Sequence, residues 1–272
     1  MSSLLPEETK TNSPSYLTDI EFCKNLDPKQ TFNKHIFTRV SAVSIIFENI
    51  EFMYTVFDDC YFRNCKFIDC KFIGAQFKNS SFRGSEFTGS TFDYARFNNT
   101  KITNKLIETN IPGYENVALE FAQALRVNFA QMGDYVGVNK AIKAELSATK
   151  VHLSKAAWGK DGWYKKKYVG FFDRVVAIKD YFIFSLFDFL WGNGESLPKL
   201  LRTIVIVVAL LASHIYMQGN ELSVSISSAF SIFLGIETKV VIDKSIVYLA
   251  VTGRFILMGM FVSVLVKRLS RR

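Results

Sequence analysis

Eight lysines crowd one stretch of the chain: Lys140, Lys143, Lys150, Lys155, Lys160, Lys165, Lys166 and Lys167, against only Glu145 and Asp161. Ammonium groups at that density suit either of two tasks. They hold an anionic ligand such as a nucleotide or nucleic acid, or they face the headgroups of an anionic membrane. Trp158, Trp163, Tyr164 and Tyr168 lie among them, as platforms for stacked bases or as aromatics of a membrane interface. The thiols offer less. Cys23, Cys60, Cys65 and Cys70 include no C-x-x-C pair, and only His35, His152 and His214 add imidazole. That pattern lacks a zinc signature and suits small buried thiols in a reducing compartment. No phosphate loop, nucleophile elbow or metal-spaced cluster of His and carboxylate occurs. No catalytic residue, metal or cofactor is therefore assigned, and the chain is expected not to be an enzyme.

The elements that position these groups begin with phenylalanine. It occupies positions 47, 52, 57, 62, 67, 72, 77, 82, 87, 92 and 97; Ile102 and Ile107 extend the frame, and Phe32 and Phe37 begin it. Two places before each member from Phe62 to Ile102 stands a small residue: Cys60, Cys65, Cys70, Ala75, Ser80, Ser85, Ser90, Ala95 and Thr100. A step of five would carry the rings around every side of an α-helix and onto alternate faces of a flat strand. A chain that turns a corner every five residues keeps them together. Four sides make a square coil of about twenty residues, and stacked coils set ring on ring at about 4.8 Å. Phe47, Phe67 and Phe87 then form one inward column, Phe52, Phe72 and Phe92 a second, and Phe57, Phe77 and Phe97 a third.

With a small residue, a polar one, a central Phe and two variable residues, the stretch 32–107 resembles the pentapeptide-repeat family. The resemblance implies a right-handed quadrilateral β-helix, placed over 19–112 after a mobile tail over 1–18. Some relatives are acidic rods that imitate DNA and inhibit gyrase. Residues 1–112 carry no net charge, which points away from that role. The opening "MSSLLPEETKTNSPSYLTD" has neither a basic region nor an apolar one, so no signal peptide is expected.

The net charge of +8 lies downstream: +3 over 113–200 and +5 over 201–272. Apolar spacing predicts a helix through Val117–Phe129, a break at Gly133-Asp134, and a second helix over Val136–Leu153. Such a hairpin suits the open end of a β-helix, where unpaired strand groups invite aggregation. Residues 168–191 mix rings with Asp173, Arg174, Lys179, Asp180 and Asp188, as an amphipathic helix lying in a membrane interface does. Residues 113–198 thus form a helical, basic coupling region, and 199–272 a membrane domain.

That domain has two candidate spans, Thr203–Met217 with Leu200 and Leu201, and Ser245–Val266, which contains Arg254. Lys199 and Arg202 precede the first; Lys267, Arg268, Arg271 and Arg272 follow the second. Positive flanks on the same side predict a hairpin with both termini cytoplasmic. Between the spans, Ser223–Ile236 is apolar but too short to cross, as a re-entrant segment is. Span, dipping segment and span is the plan of a tetrameric cation channel, so a homo-oligomer is expected. Phe230, Phe233 and Leu234 are candidates for a dewetting constriction, Glu237 for an acidic ring, and Arg254 for its partner. All five are equally readable as packing or interface residues. Of a carbonyl filter only Gly235 is present, which argues against potassium selectivity.

The segments "LRVNFAQMGDY", "WGNGESLPKLLR", the dipping stretch and "VKRLSRR" resemble a bacterial group that joins pentapeptide repeats to a two-helix ion-channel domain. The resemblance implies an α-helical cytoplasmic layer beneath a pore in the bacterial inner membrane, gated from the β-helix through 168–199. It extends to pore-forming effectors of antiviral defence, regulated by an anionic nucleotide or oligonucleotide near Lys140–Lys167. The alternative is a non-conducting, membrane-anchored scaffold whose β-helix is a protein-binding rod.

Overall fold

The computed structural model describes residues 15–159, 162–168, 170–238 and 240–270. Most of the expected tail, together with Lys160, Asp161, Lys239, Arg271 and Arg272, lies outside the described residues. The chain forms two compact units, Met1–His152 and Leu153–Arg272. The first unit continues past residue 112 because the helices that follow pack on the coil end.

The first unit is a β-solenoid of about four turns. Its strands are β1 (Tyr16–Thr18), β2 (Glu21–Phe22), β3 (Ile36–Thr38), β4 (Ser41–Val43), β5 (Ile46–Glu48), β6 (Val56–Asp58), β7 (Tyr61–Arg63), β8 (Lys66–Ile68), β9 (Gln76–Lys78), β10 (Glu86–Thr88) and β11 (Arg96–Asn98). They pair in parallel as β1-β3-β6-β9-β11, β2-β4-β7 and β5-β8-β10. Bridges Thr31–Glu51, Glu51–Lys71 and Lys71–Thr91 make the fourth side. The register sets Phe37, Phe57, Phe77 and Phe97 in line, and likewise Phe47, Phe67 and Phe87. Rings stack at 4.8 Å between Phe47 and Phe67, 4.9 Å between Phe67 and Phe87, and 5.0 Å between Phe57 and Phe77. The expected columns are therefore present, with Phe62 over Phe82 as a fourth at 5.0 Å.

Each corner has its own requirement. The second residue after each ring takes a positive φ, from Asp59 (55°), Asn64 (52°) and Asp69 (51°) through Gly74 (66°) to Asn99 (47°). Asn, Asp and Gly tolerate this left-handed region best, so the variable part of the repeat is constrained too. Gly74 has a second reason: a Cβ there would meet the Tyr54 ring at 2.6 Å.

The solenoid departs from expectation at both ends. Tyr16–Thr18, assigned above to the mobile tail, is instead strand β1, because Leu17 occupies the Phe37 column and pairs with it. At the other end Ile107 is not on a strand. It lies, buried, in α1 (Leu106–Thr109). Helix α2 (Glu115–Gln131) then closes the stack. Phe121 meets Phe92 and Phe97 at 6.0 and 6.1 Å. The fully buried Asn128 amide accepts from Thr100 N–H and donates to Thr100 C=O, each at 2.8 Å. One side chain thus satisfies a donor and an acceptor that a further coil would otherwise pair. The break falls at Gly133-Asp134, and Asp134 accepts from Gly137 N–H at 2.9 Å as α3 (Tyr135–Trp158) begins.

The second unit contains α4 (Gly162–Lys167), α5 (Phe171–Trp191), α6 (Leu197–Met217), α7 (Leu222–Leu234) and α8 (Lys244–Ser270). Gly192, left-handed at φ 65°, ends α5, and Ser196 caps α6 with Pro198 in its first turn. Lys199 pairs with Asp188 at 2.5 Å, and Thr203 Oγ1 donates to Leu190 C=O at 2.7 Å, fixing α5 against α6.

Candidate pore and anion-binding sites

Helices α6 and α8 are long and apolar enough to cross a membrane, and less than a quarter of the most apolar stretch of each is buried. A core helix of a soluble protein buries most of its apolar surface. Lys267, near the end of α8, reaches Glu195 just before α6 at 3.5 Å, so the start of α6 and the end of α8 lie together. Just before α8, bonds from Ser245 hold the Asp243 carboxyl below its usual range.

The segment expected to dip is the 13-residue helix α7, ended by left-handed Gly235 at φ 78°. Ala229 and Ile232 on α7 pack with Val208, Ala212 and Ile215 of α6 and Ala250 of α8. Phe233 is partly buried against this cluster, whereas Phe230, Leu234 and Glu237 are exposed. The expected pairing of Arg254 with Glu237 is not made. Arg254 instead lies over the Phe255 ring at 4.9 Å, with Nη1 where a Cβ at Gly235 would stand. Gly235 is adjacent because it has no side chain, and Glu237 is three residues beyond the helix end. No sequence period joins Gly235 to Arg254, so the contact was not legible.

The lysines divide between the units. In the first, Lys140 is committed: its Nζ meets Glu108 at 3.0 Å and Asn104 Oδ1 at 3.1 Å, tying α3 to the end of the solenoid. Lys143 and Lys150 are exposed on α3. In the second, Lys165, Lys166 and Lys167 are exposed on α4, and Lys155 is half-buried. Lys167 Nζ sits 4.7 Å from the Trp163 ring centre and 5.7 Å from that of Tyr168. Tyr164 is not available for stacking on a base, being buried with Ala156 and Ala177. Lys160 lies outside the described residues.

Three of the four thiols are buried and structural, whereas Cys23, expected to be buried, is exposed. Cys60, Cys65 and Cys70 point inward on successive sides, donating to Phe37, Ala42 and Phe47 C=O at 3.4, 3.5 and 3.3 Å. One coil later Ser80, Ser85 and Ser90 make the equivalent bonds. Burial pushes the Cys60 and Cys70 thiols up to about 11 and raises Cys65.

One cleft escaped the sequence. Beside the last coil, a space of about 470 Å³ is bordered by Arg83, Gly84, Glu86, Lys101, Lys105 and Asn110, among others. It opens because the chain beyond Ile102 bends into α1 instead of laying another corner over Gly84. Its only signal was Lys105, which stands where earlier members of the frame have a small residue.

Residues 52–103 match the family model described as pentapeptide repeats (9 copies). Among solved structures, a trypsin-treated variant of QnrB1, a plasmid-mediated fluoroquinolone resistance protein, is similar at 11% identity and a TM-score of 0.17. The alignment covers 34% of this chain and 64% of that one, so the chain spans less than two thirds of its relative. No curated protein matches significantly.

Proposed function

We propose that this chain is a subunit of an oligomeric membrane channel or pore, with its β-solenoid and basic helices as the sensor. The observation that carries the reading is the outward apolar surface of α6 and α8, whose basic ends meet through Lys267 and Glu195. Such a pair suits a hairpin with its basic ends at the cytoplasmic face of a bacterial inner membrane. Helix α7 supports a dipping geometry. It starts beyond the end of α6 and finishes beside Arg254, ten residues into α8, or about 15 Å along its axis. Residues 236–243 then lead back to the start of α8. In a ring of copies, four by analogy with two-span channels, Phe230, Leu234 and Glu237 are free to face an axial path, and Arg254 holds the tip of α7. The exposed lysines of α3 and α4 serve as contacts for lipid headgroups. A role in antiviral defence rests on resemblance alone and forms no part of the proposal.

Ion flux from liposomes tests this, with oligomer size measured in the same preparation. Flux that changes on Glu237→Gln or Phe230→Ala supports a pore; intact oligomers without flux under any ligand overturn it. A second reading, a membrane-anchored scaffold, draws on the repeat match over 52–103 and the charge-balanced rod. It expects capture of a protein by the solenoid and no conductance.

A further inference from the structure

We propose that the cleft at the end of the solenoid is a binding site for an organic phosphate. Its borders carry three cations, Arg83, Lys101 and Lys105, and one acid, Glu86. All four side chains are exposed, and no ion pair among the described residues engages them. Elsewhere on the first unit four cations are answered: Arg39 by Asp19, Lys71 by Glu51, Arg126 by Glu145, Lys140 by Glu108. Unanswered positive charge around a concavity is what a phosphate ester needs.

The backbone adds a donor. Corner residues Ser44 and Asn64 each donate their N–H to a carbonyl of the next coil, that of Arg63 and Arg83. Gly84, next in this column and left-handed at φ 72°, has no such partner among the described residues, because Thr103 starts the turn into α1. A left-handed corner with a free N–H is half of an anion-binding nest. Thr88 and Thr103 put hydroxyls on the same walls.

Size and shape select the occupant. About 470 Å³ lies within the range of small-molecule sites. An extended peptide would need the outer edge of β10, but α1 packs there and Asn110 Nδ2 donates to Ser90 C=O at 2.6 Å. The space is therefore a short pocket, sized for a nucleotide or the phosphorylated end of an oligonucleotide.

The site also borders α1, which is tied to the helix that leaves the unit. Thr109 and Asn110 line it, and α1 is tied through Glu108 to Lys140 on α3, which continues unbroken from the first unit into the second. A ligand that moves α1 thus acts on α3. This coupling rests on the channel reading; binding does not.

Calorimetry on the full chain separates the two, with ATP, 5′-phosphorylated tetrathymidylate and adenosine as probes. One saturable site is expected for ATP or the oligonucleotide, and none for adenosine; whichever phosphate binds more tightly identifies the source. Arg83→Ala and, separately, Lys105→Ala should weaken binding tenfold or more, with Arg83→Lys restoring most of it. Changing Lys165, Lys166 and Lys167 to Ala should leave affinity unchanged. Absence of saturable binding, or binding lost only in the α4 triple variant, overturns the site. Liposome flux with the same probe tests coupling, and binding at the cleft with unaltered flux overturns that step alone.

Discussion

The two units handle apolar surface in opposite ways. In the solenoid, Phe37, Phe47, Phe57, Phe67, Phe77 and Phe82 are all fully buried within the chain's own coils. In the second unit, Leu210, Met217, Leu249 and Phe255 are 64–83% exposed. A solenoid completes its burial by stacking on itself. The helices of the second unit leave theirs open within the chain. Burial alone therefore separates the unit that covers its own apolar surface from the one that leaves it exposed.

The sharpest way to break this contrast lies in the rings. Phe67→Ala removes a ring stacked on both sides and should cost about 3–5 kcal/mol, read from denaturant midpoints. A loss below about 1 kcal/mol would mean that the columns do not hold the coils. The next test sets two exposed apolar positions against each other. Leu210→Asp should oppose membrane insertion by about 2.5–3.5 kcal/mol, seen as protein shifted out of the membrane fraction. Val43→Asp, exposed on the solenoid, should change stability by no more than about 0.5 kcal/mol. Equal tolerance at both sites would remove the distinction.

The thiols sharpen the comparison through pH. Cys60 and Cys70 stay protonated to about 11 in the fold, whereas the free thiol ionises near 9.0. Above that value the unfolded chain has lost protons the folded one retains, so stability falls as pH rises from 9 to 11. The fall should approach about 2.5 kcal/mol for each thiol. Cys60→Ser with Cys70→Ser should flatten the slope in melts taken across that range, and an unchanged slope would count against burial as its cause. Smallest is Tyr94→Asn, which places a residue tolerant of φ 59° at an exposed corner. It should stabilise by about 0.5–1 kcal/mol, measured as a raised Tm.

The parts legible in the sequence were those repeated within a few residues. The Phe columns, the inward position of Cys60 through Thr100 and the break at Gly133-Asp134 each follow from a local period. The first coil was harder to see, because Asp27 interrupts a frame that Leu17, Phe22 and Phe32 otherwise keep. The corners read only as variable positions in the sequence, although Asp59, Asn64 and Gly74 share one backbone demand. What no period encodes is contact between distant positions. Arg254 against Gly235, Lys140 with Glu108, and the cleft beside Gly84 arise from where the chain stops repeating.

The Asn128 seal has a consequence for how this molecule can change length. It reads only the backbone of Thr100, so whole twenty-residue modules gained or lost upstream would leave the lid undisturbed. A copy cannot graft its own coils onto that end either, because the amide already fills the place of the next rung. The solenoid can therefore grow within a gene but not into a fibre from this terminus.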